Sequence, residues 1–223
     1  MRIGVIGAGR LGGTLATWCA ESGHEVAVTS RHPDRLQDLA DRSGAQLRVM
    51  SVPQAAAFGD LLVFAPNWCS AREAVEVTRA ELAGKVVIDT TNPDDRSGDG
   101  DAYHGTGAFS GGAGHDSGGK SGLETLIEWA PEAHWVKAFN TIPADVLSRR
   151  RGHDPLLAEF VCTDETDART LASQIIRDLG FAPFYAGGAH AAWLTEPGGP
   201  LQKIEVDVAD ATDVLAEALA TLH

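Results

Sequence analysis

The chain opens by joining a short apolar segment to a cluster of glycines, and this junction most constrains the fold. Residues 2–6 form an apolar, β-branched run typical of a strand buried on both faces. Glycines follow at GxGxxG spacing, and a helical pattern of apolar residues begins at once. Such a turn lets the backbone approach a pyrophosphate, and the helix start offers free N–H groups. The junction predicts a dinucleotide site, with a purely structural turn as the alternative. The predicted contacts are Gly7, Ala8, Gly9, Arg10, Leu11 and Gly12.

The end of the second predicted strand, residues 25–29, indicates which dinucleotide is bound. NAD-specific sites usually carry Asp or Glu here, but this chain has Ser30 and Arg31. A guanidinium group suits a 2′-phosphate, and Arg35 lies one helical turn further on. The sequence therefore predicts NADP(H). The alternative is that Arg31 and Arg35 only form a solvated helix start.

Strand and helix patterns alternate along the chain, which predicts an α/β fold. We expect a Rossmann-type, doubly wound, mostly parallel sheet with a small C-terminal extension. Residues 1–140 are predicted to form the NADP-binding domain, and residues 141–223 a smaller acceptor-binding part packed on it. Residues 94–122 are rich in Gly, Asp and Ser and predict a long exposed loop. A loop of this length is usually either functional, for example a lid, or disordered.

The individual elements follow from periodicity, turn residues and caps. Predicted strands cover 2–6, 25–29, 46–50, 60–65, 85–89, 134–140, 160–163 and 181–185. The first predicted helix begins near residue 11. Further helices are predicted over 33–43, 52–58, 70–82, 123–129, 165–179 and 209–222.

Composition excludes several classes of function. The formal net charge of −13 argues against nucleic acids and anionic membranes as partners. The three cysteines are scattered outside any CxxC spacing, which favours a reducing compartment over a disulfide framework. There is no apolar run of 18 residues, and a strand begins at residue 2, so we expect neither a membrane span nor a signal peptide. We therefore expect a cytoplasmic protein. Asp99, Asp101, His104 and His115 could form an adventitious metal site, but their spacing matches no known metal site, so no metal is expected.

Further candidate residues follow the later strands, because ligands of open α/β sheets lie beyond the carboxyl ends of the strands. Polar side chains and backbone groups of residues 140–143 can reach a nicotinamide or its hydride acceptor, although Asn140 could instead organise a turn. Trp68 is interpreted as an apolar wall, or else as a core or interface residue. No acid–base residue is assured. The predicted cofactor contacts here are Ala65, Pro66, Asn67, Ala138 and Asn140, and the predicted substrate contacts are Trp68, Asn140, Thr141, Ile142, Pro143 and Trp193.

These motifs resemble the NADPH-dependent reductases of coenzyme F420, and the resemblance covers most of the chain. Its most specific part is Lys-Ala-Phe-Asn-Thr at 137–141. The N-terminal half also resembles the cytosolic domain of membrane ferric reductases, which pass electrons from NADPH to flavin. The other matching segments are residues 7–12, Ser30-Arg31, the turn at Pro66, and residues 86–93, 142–144 and 161–164.

The resemblance implies a deazaflavin ring stacked over the nicotinamide, near residues 140–143 and 187–194. Hydride transfer between two such rings needs proximity and orientation more than an acid or base. Coenzyme F420 is a polyanion, and residues 149–151 (Arg-Arg-Arg) and Lys137 are candidate cations for it, with a solvated face as the alternative. Relatives are often dimers, so Trp129, Trp135 and Trp193 are candidate interface residues.

The expected function is hydride transfer between NADP(H) and coenzyme F420, with a small-molecule redox acceptor as partner and a homodimer as the expected assembly. Two alternatives remain. One is NADPH-dependent reduction of another acceptor, such as a flavin or a carbonyl or imine in a biosynthetic pathway. The other is a non-catalytic NADP-binding sensor.

Overall fold

The computed structural model describes residues 1–30, 36, 46–93 and 119–222. The predicted helix over 33–43 and most of the predicted loop over 94–122 lie outside these residues. The elements in chain order are β1 Arg2–Ile6, α1 Arg10–Glu21, β2 Glu25–Thr29, β3 Leu47–Val49, α2 Val52–Phe58, β4 Leu61–Phe64, α3 Trp68–Leu82, β5 Val86–Asp89, α4 Gly122–Trp129, β6 His134–Lys137, α5 Ala144–Arg150, β7 Ala158–Cys162, α6 Thr166–Asp178, β8 Ala182–Gly187, a 3₁₀ helix Ala189–Thr195, α7 Ala211–Leu219 and a 3₁₀ turn Ala220–Leu222.

The eight strands form one sheet in the order β3-β2-β1-β4-β5-β6-β7-β8. Every neighbouring pair is parallel except β6 and β7, which are antiparallel. The chain leaves β1 toward β2 on one side and later returns to β4 on the other. This reversal of direction makes the carboxyl end of β1 the switch point. The predicted α/β, doubly wound, mostly parallel sheet is confirmed.

Two apolar layers enclose the sheet. One face packs against α1, α5 and α6, and the other packs against α2, α3, α4, α7 and the 3₁₀ helix. Strand residues alternate between the layers, with Val5 in the first and Ile6 in the second. Because both faces are covered, the strands are continuous apolar runs. The two layers hold the carboxyl ends of β1, β4, β5 and β6 side by side.

Several boundaries differ from the predicted ones for local reasons. β6 ends at Lys137 rather than Asn140, because Phe139 has φ +60°, which is incompatible with a strand. α4 begins at Gly122, where Ser121 and Glu124 form a capping box, so the predicted loop ends before residue 122. α5 was not predicted. The predicted helix over 209–222 is α7 followed by a 3₁₀ turn.

Candidate functional site

The glycine turn after β1 is held against both neighbouring strands. The N–H groups of Gly7 and Ala8 donate to the carbonyl of Thr29 at 3.1 and 2.9 Å, which fixes the turn to the end of β2. Gly7 has φ +94°, and a Cβ built on it would lie 2.6 Å from the backbone of Ala65. Only glycine fits this contact, so the turn lies tightly between the ends of β2 and β4.

Two other glycines of the motif have opposite surroundings. A Cβ built on Gly12 would lie 2.1 Å from the carbonyl oxygen of Gly7, so α1 packs directly on the turn. A Cβ built on Gly9 would meet nothing within 4 Å. Gly9 is the N-cap of α1 and has no side chain to accept from the first-turn N–H groups. The helix start is therefore open on the side of Gly9, as an anion site requires.

The residues that were predicted to select NADP(H) are described only in part. Ser30 is half-buried and follows Thr29, whose carbonyl anchors the glycine turn. The backbone therefore places Ser30 beside residues 7 and 8. Arg31 and Arg35 lie outside the described residues, so their assignment to the 2′-phosphate stays a prediction.

The segment after β4 lies next to the glycine turn. The N–H of Ala65 donates to the carbonyl of Ile6 at 2.8 Å, and Pro66 lines the space beside Gly7. Asn67 is the exposed N-cap of α3. Trp68 begins α3 and stacks on Trp129 with ring centroids 5.6 Å apart, and both rings are partly buried against the second apolar layer. Trp68 thus packs on α4, as one of its predicted alternatives required.

Asn140, three residues beyond β6, is 95 % buried and strongly bonded. Its Nδ2 donates to Asn92 Oδ1 at 3.0 Å and to the Thr195 carbonyl and Oγ1 at 2.8 and 3.2 Å. Asn92 Nδ2 donates in return to the Asn140 carbonyl at 2.8 Å. Asn140 Oδ1 has no hydrogen-bond partner in the described part of the chain. The amide is therefore oriented by protein contacts and leaves one acceptor over.

The neighbours of Asn140 differ in what they expose. Ala138 is fully buried, so only its backbone could meet a ligand. Ile142 packs in the first apolar layer. Thr141 is buried, and its hydroxyl has no partner among the described residues. Pro143 is the N-cap of α5. The structure brings residues 138–143 together with the end of β5, beside Asn92.

Lys137 was predicted as a candidate cation for an anionic acceptor, and this prediction is wrong. Its side chain is 1 % exposed, and its Nζ donates to Asp89 Oδ2 at 2.8 Å, to the Thr91 carbonyl at 2.7 Å and to Glu196 Oε1 at 3.1 Å. Burial alone would lower the pKa of Lys137, but the Asp89 and Glu196 carboxylates outweigh it and raise that pKa. Burial raises the pKa of Asp89. The charge of Lys137 is therefore neutralised by carboxylates inside the protein.

The run at 149–151 is also largely engaged. Arg150 pairs with both Glu205 and Asp207. Arg151 pairs with Glu21, donates to the Leu179 carbonyl at 3.1 Å and lies over the Trp18 ring. These two guanidinium groups hold α5 to the C-terminal segment and to α1. Of the run, Arg149 remains exposed.

The three candidate interface tryptophans are placed differently. Trp135 is 1 % exposed, packs edge-on against Phe64 and donates to the Ala130 carbonyl, so it is a core residue and its predicted interface role is wrong. Trp129 and Trp193 are partly buried against the second layer.

Two features are absent from the described residues: a metal-binding cluster and a membrane-spanning helix. Within residues 1–30, 46–93 and 119–222, no group of three or more His, Cys, Asp or Glu side chains could hold a metal ion. No helix in the same part of the chain is both long enough and apolar enough to cross a bilayer.

Known proteins resemble this chain in sequence and in fold. Residues 2–93 match the family model of the coenzyme F420-dependent NADP oxidoreductases. The metalloreductase STEAP3 of Rattus norvegicus is 26 % identical over 193 residues, which cover 86 % of this chain and 35 % of STEAP3. The chain thus spans about a third of the length of this curated relative. The family match supports NADP(H) binding by residues 2–93.

Two solved structures share the fold along nearly the whole chain. The hypothetical protein SMa0349 of Sinorhizobium meliloti is 26 % identical, with a TM-score of 0.73 over 93 % of this chain and 95 % of its own. A protein of Arthrobacter sp. FB24 assigned as an F420-dependent NADP reductase is 23 % identical, with a TM-score of 0.70 over 100 % of this chain and 93 % of its own. The Rossmann-like α/β fold therefore extends through the C-terminal part.

Proposed function

We propose that this protein is an NADP(H)-dependent oxidoreductase that exchanges a hydride with the deazaflavin coenzyme F420. The observation that carries the proposal is the open backbone cradle at Gly9, which stands at one end of a row of parallel strand ends leading to Asn140. The row comprises β1, β4, β5 and β6. With about 4.8 Å between strands, it spans about 14 Å, which suits an extended dinucleotide.

The described residues fit a dinucleotide at both ends of this row. The α1 N-terminus offers N–H groups to the pyrophosphate, since Gly9 leaves it uncovered. Ser30 lies beside the glycine turn, where a ribose 2′ substituent is expected. Ala65 and Pro66 line the path between the strand ends. Asn140 supplies a fixed amide at the far end of the row.

When bound, NADPH supplies a hydride, and the reaction consumes one proton for each two-electron reduction of the deazaflavin. The protein's task is then to hold two rings face to face and to exclude water. The rigid amide of Asn140 and the buried segment around it serve orientation. Residues 141–223 contribute the acceptor side through Thr195, which bonds Asn140 directly.

Coenzyme F420 is favoured over other acceptors by the family match at residues 2–93 and by the likeness to the Arthrobacter protein assigned as an F420-dependent NADP reductase. A flavin is the second candidate. The N-terminal half resembles membrane ferric reductases that pass electrons from NADPH to flavin, and the likeness to a metalloreductase over 193 residues covers most of this chain. The two candidates share a planar ring, and therefore the same requirement for stacking.

One assay separates the candidates. Purified protein is mixed with NADPH and oxidised coenzyme F420, and loss of the deazaflavin's visible absorbance is followed, with FMN in a parallel reaction. Turnover of F420 at least tenfold faster than that of FMN supports the proposal. Turnover of FMN alone replaces F420 by a flavin. Tight NADPH binding without turnover of either acceptor would contradict the proposal and favour a sensor.

A further inference from the structure

The ion cluster of Lys137, Asp89 and Glu196 is costly to bury. One cation faces two carboxylates, and all three side chains are at most 7 % exposed. Well-packed apolar residues in place of a buried ion cluster often stabilise a protein as well or better. Stability therefore does not explain the cluster, and its position at the carboxyl ends of β5 and β6 suggests another role.

The cluster reaches Asn140 from the side of β5. The three donors of Lys137 Nζ are all used, and one of them holds the carbonyl of Thr91 at 2.7 Å. The next residue, Asn92, forms a reciprocal pair with Asn140: each side-chain amide donates to an oxygen of the other residue, at 2.8 and 3.0 Å. The ammonium group thus fixes the backbone that presents Asn92 to Asn140.

The cluster reaches Asn140 equally from the side of the 3₁₀ helix. Glu196 accepts from Lys137 and, with both oxygens, from the N–H of Gly122 at 2.9 and 3.0 Å. The preceding residue, Thr195, provides the other two acceptors for Asn140 Nδ2. The acceptors of the Asn140 side-chain amide therefore belong to Asn92 and Thr195. Each of these two residues is adjacent in sequence to a residue that Lys137 Nζ contacts.

These contacts fix which way the Asn140 amide faces. With Nδ2 committed to three acceptors, Oδ1 has a single orientation, and it lacks a donor within the described residues. A buried acceptor left without a partner destabilises the folded protein. The chain retains this cost at the strand end where the proposed function places the nicotinamide.

We infer that Lys137, Asp89 and Glu196 are positioning residues that hold the Asn140 amide in one orientation beside the nicotinamide ring. This inference rests on the proposed function. It assigns the cluster a role in ring geometry and leaves affinity for the phosphate end of NADPH to the glycine turn.

The informative variant is Glu196→Gln, because glutamine keeps an oxygen for Gly122 N–H and removes the excess negative charge. Its matched control is Asp207→Asn. Arg150 also lies between two carboxylates, Glu205 and Asp207, but at the edge of α5 and away from Asn140. Both variants remove one of two carboxylates from a cation, and only Glu196→Gln alters the contacts of Asn140.

Three quantities are measured on each variant: the melting temperature, the Kd for NADPH, and the induced circular dichroism of the bound nicotinamide. For Glu196→Gln we expect an unchanged or higher melting temperature and a Kd within twofold of wild type. We expect its nicotinamide dichroism to change and its kcat to fall about tenfold. Asp207→Asn should change neither the dichroism nor kcat.

A double-mutant cycle with Asn140→Ala tests whether Glu196 acts through Asn140. Glu196→Gln should have no further effect on the dichroism once Asn140 is removed, because coupled residues are non-additive. Additive effects, or an unchanged dichroism in Glu196→Gln, would overturn the inference. A wild-type protein that binds NADPH without turnover would refute the proposed function. The dichroism needs no hydride acceptor, so it would still decide the inference in that case.

Discussion

The paired substitutions Gly9→Ala and Gly12→Ala separate the two jobs of the glycine turn. A Cβ at residue 12 would lie 2.1 Å from the Gly7 carbonyl oxygen and 3.0 Å from the Ala65 side chain. Ordinary contacts exceed these distances, so α1 must move away from the turn. Overpacking of this kind costs about 1–3 kcal/mol. For a chain of this size we expect the melting temperature of Gly12→Ala to fall by about 3–10 °C.

Gly9→Ala meets no such contact. Residue 9 has φ −73° and ψ −161°, which alanine adopts without strain. Its methyl group would enter the open space before α1, where the pyrophosphate is expected. We predict a melting temperature within about 2 °C of wild type, because the reduced freedom of the unfolded chain offsets the loss of glycine, which an N-cap prefers to alanine. The Kd for NADPH should rise at least tenfold, about 1.4 kcal/mol.

Thermal unfolding without ligand and NADPH titration by fluorescence measure the two effects independently. The reasoning is refuted if Gly9→Ala binds NADPH like wild type, or if it loses as much stability as Gly12→Ala. Either result would mean that the space beside Gly9 is not the phosphate cradle.

Three further predictions concern charge. Lys137→Met leaves the Asp89 and Glu196 carboxylates buried without a cation, so the free energy of unfolding in urea should fall by about 3–5 kcal/mol; a loss below 1 kcal/mol would contradict the described cluster. Burial raises the pKa of Glu159 from 4.5 to about 8, so the folded state holds a proton that the unfolded state releases, and stability should fall as pH rises from about 4.5 to 8. The slope attributable to this group, at most about 1.4 kcal/mol per pH unit, should vanish in Glu159→Gln, and an unchanged slope would exclude Glu159 as its source. Arg31→Ala should weaken NADPH far more than NADH, whereas equal losses would argue against a 2′-phosphate contact.

The sequence predicted what depends on neighbours along the chain. The glycine turn and the apolar strands are local features, and each lies where its spacing indicated. The sequence also predicted that the candidate binding residues lie together beyond the carboxyl ends of the strands, since parallel strands end at one edge of the sheet. The identity of the hydride acceptor does not follow from these features, because planar rings share the same requirements.

The polar network around Lys137 depended on contacts that no local pattern encodes. Asp89 and Thr91 lie 48 and 46 residues before Lys137, and Glu196 bonds Gly122 across 74 residues. Lysine is usually exposed, which led to its interpretation as a surface cation. One sequence feature could have indicated otherwise: Asp89 directly follows the apolar residues 86–88, and Lys137 directly follows the apolar residues 135–136. The structure pairs Asp89 with Lys137 in register on β5 and β6. The left-handed backbone of Phe139, which ends β6 early, has no such sequence signature.

The central claim is that a hydride passes directly from NADPH to the deazaflavin ring held beside Asn140. It is tested most directly with NADPH deuterated at C4, on one face and then on the other, and mass spectrometry of the reduced coenzyme F420. We predict one deuterium in the reduced ring from one of the two labelled forms and none from the other. Deuterium found in water with both forms, or reduction of coenzyme F420 without label from either, would contradict direct transfer.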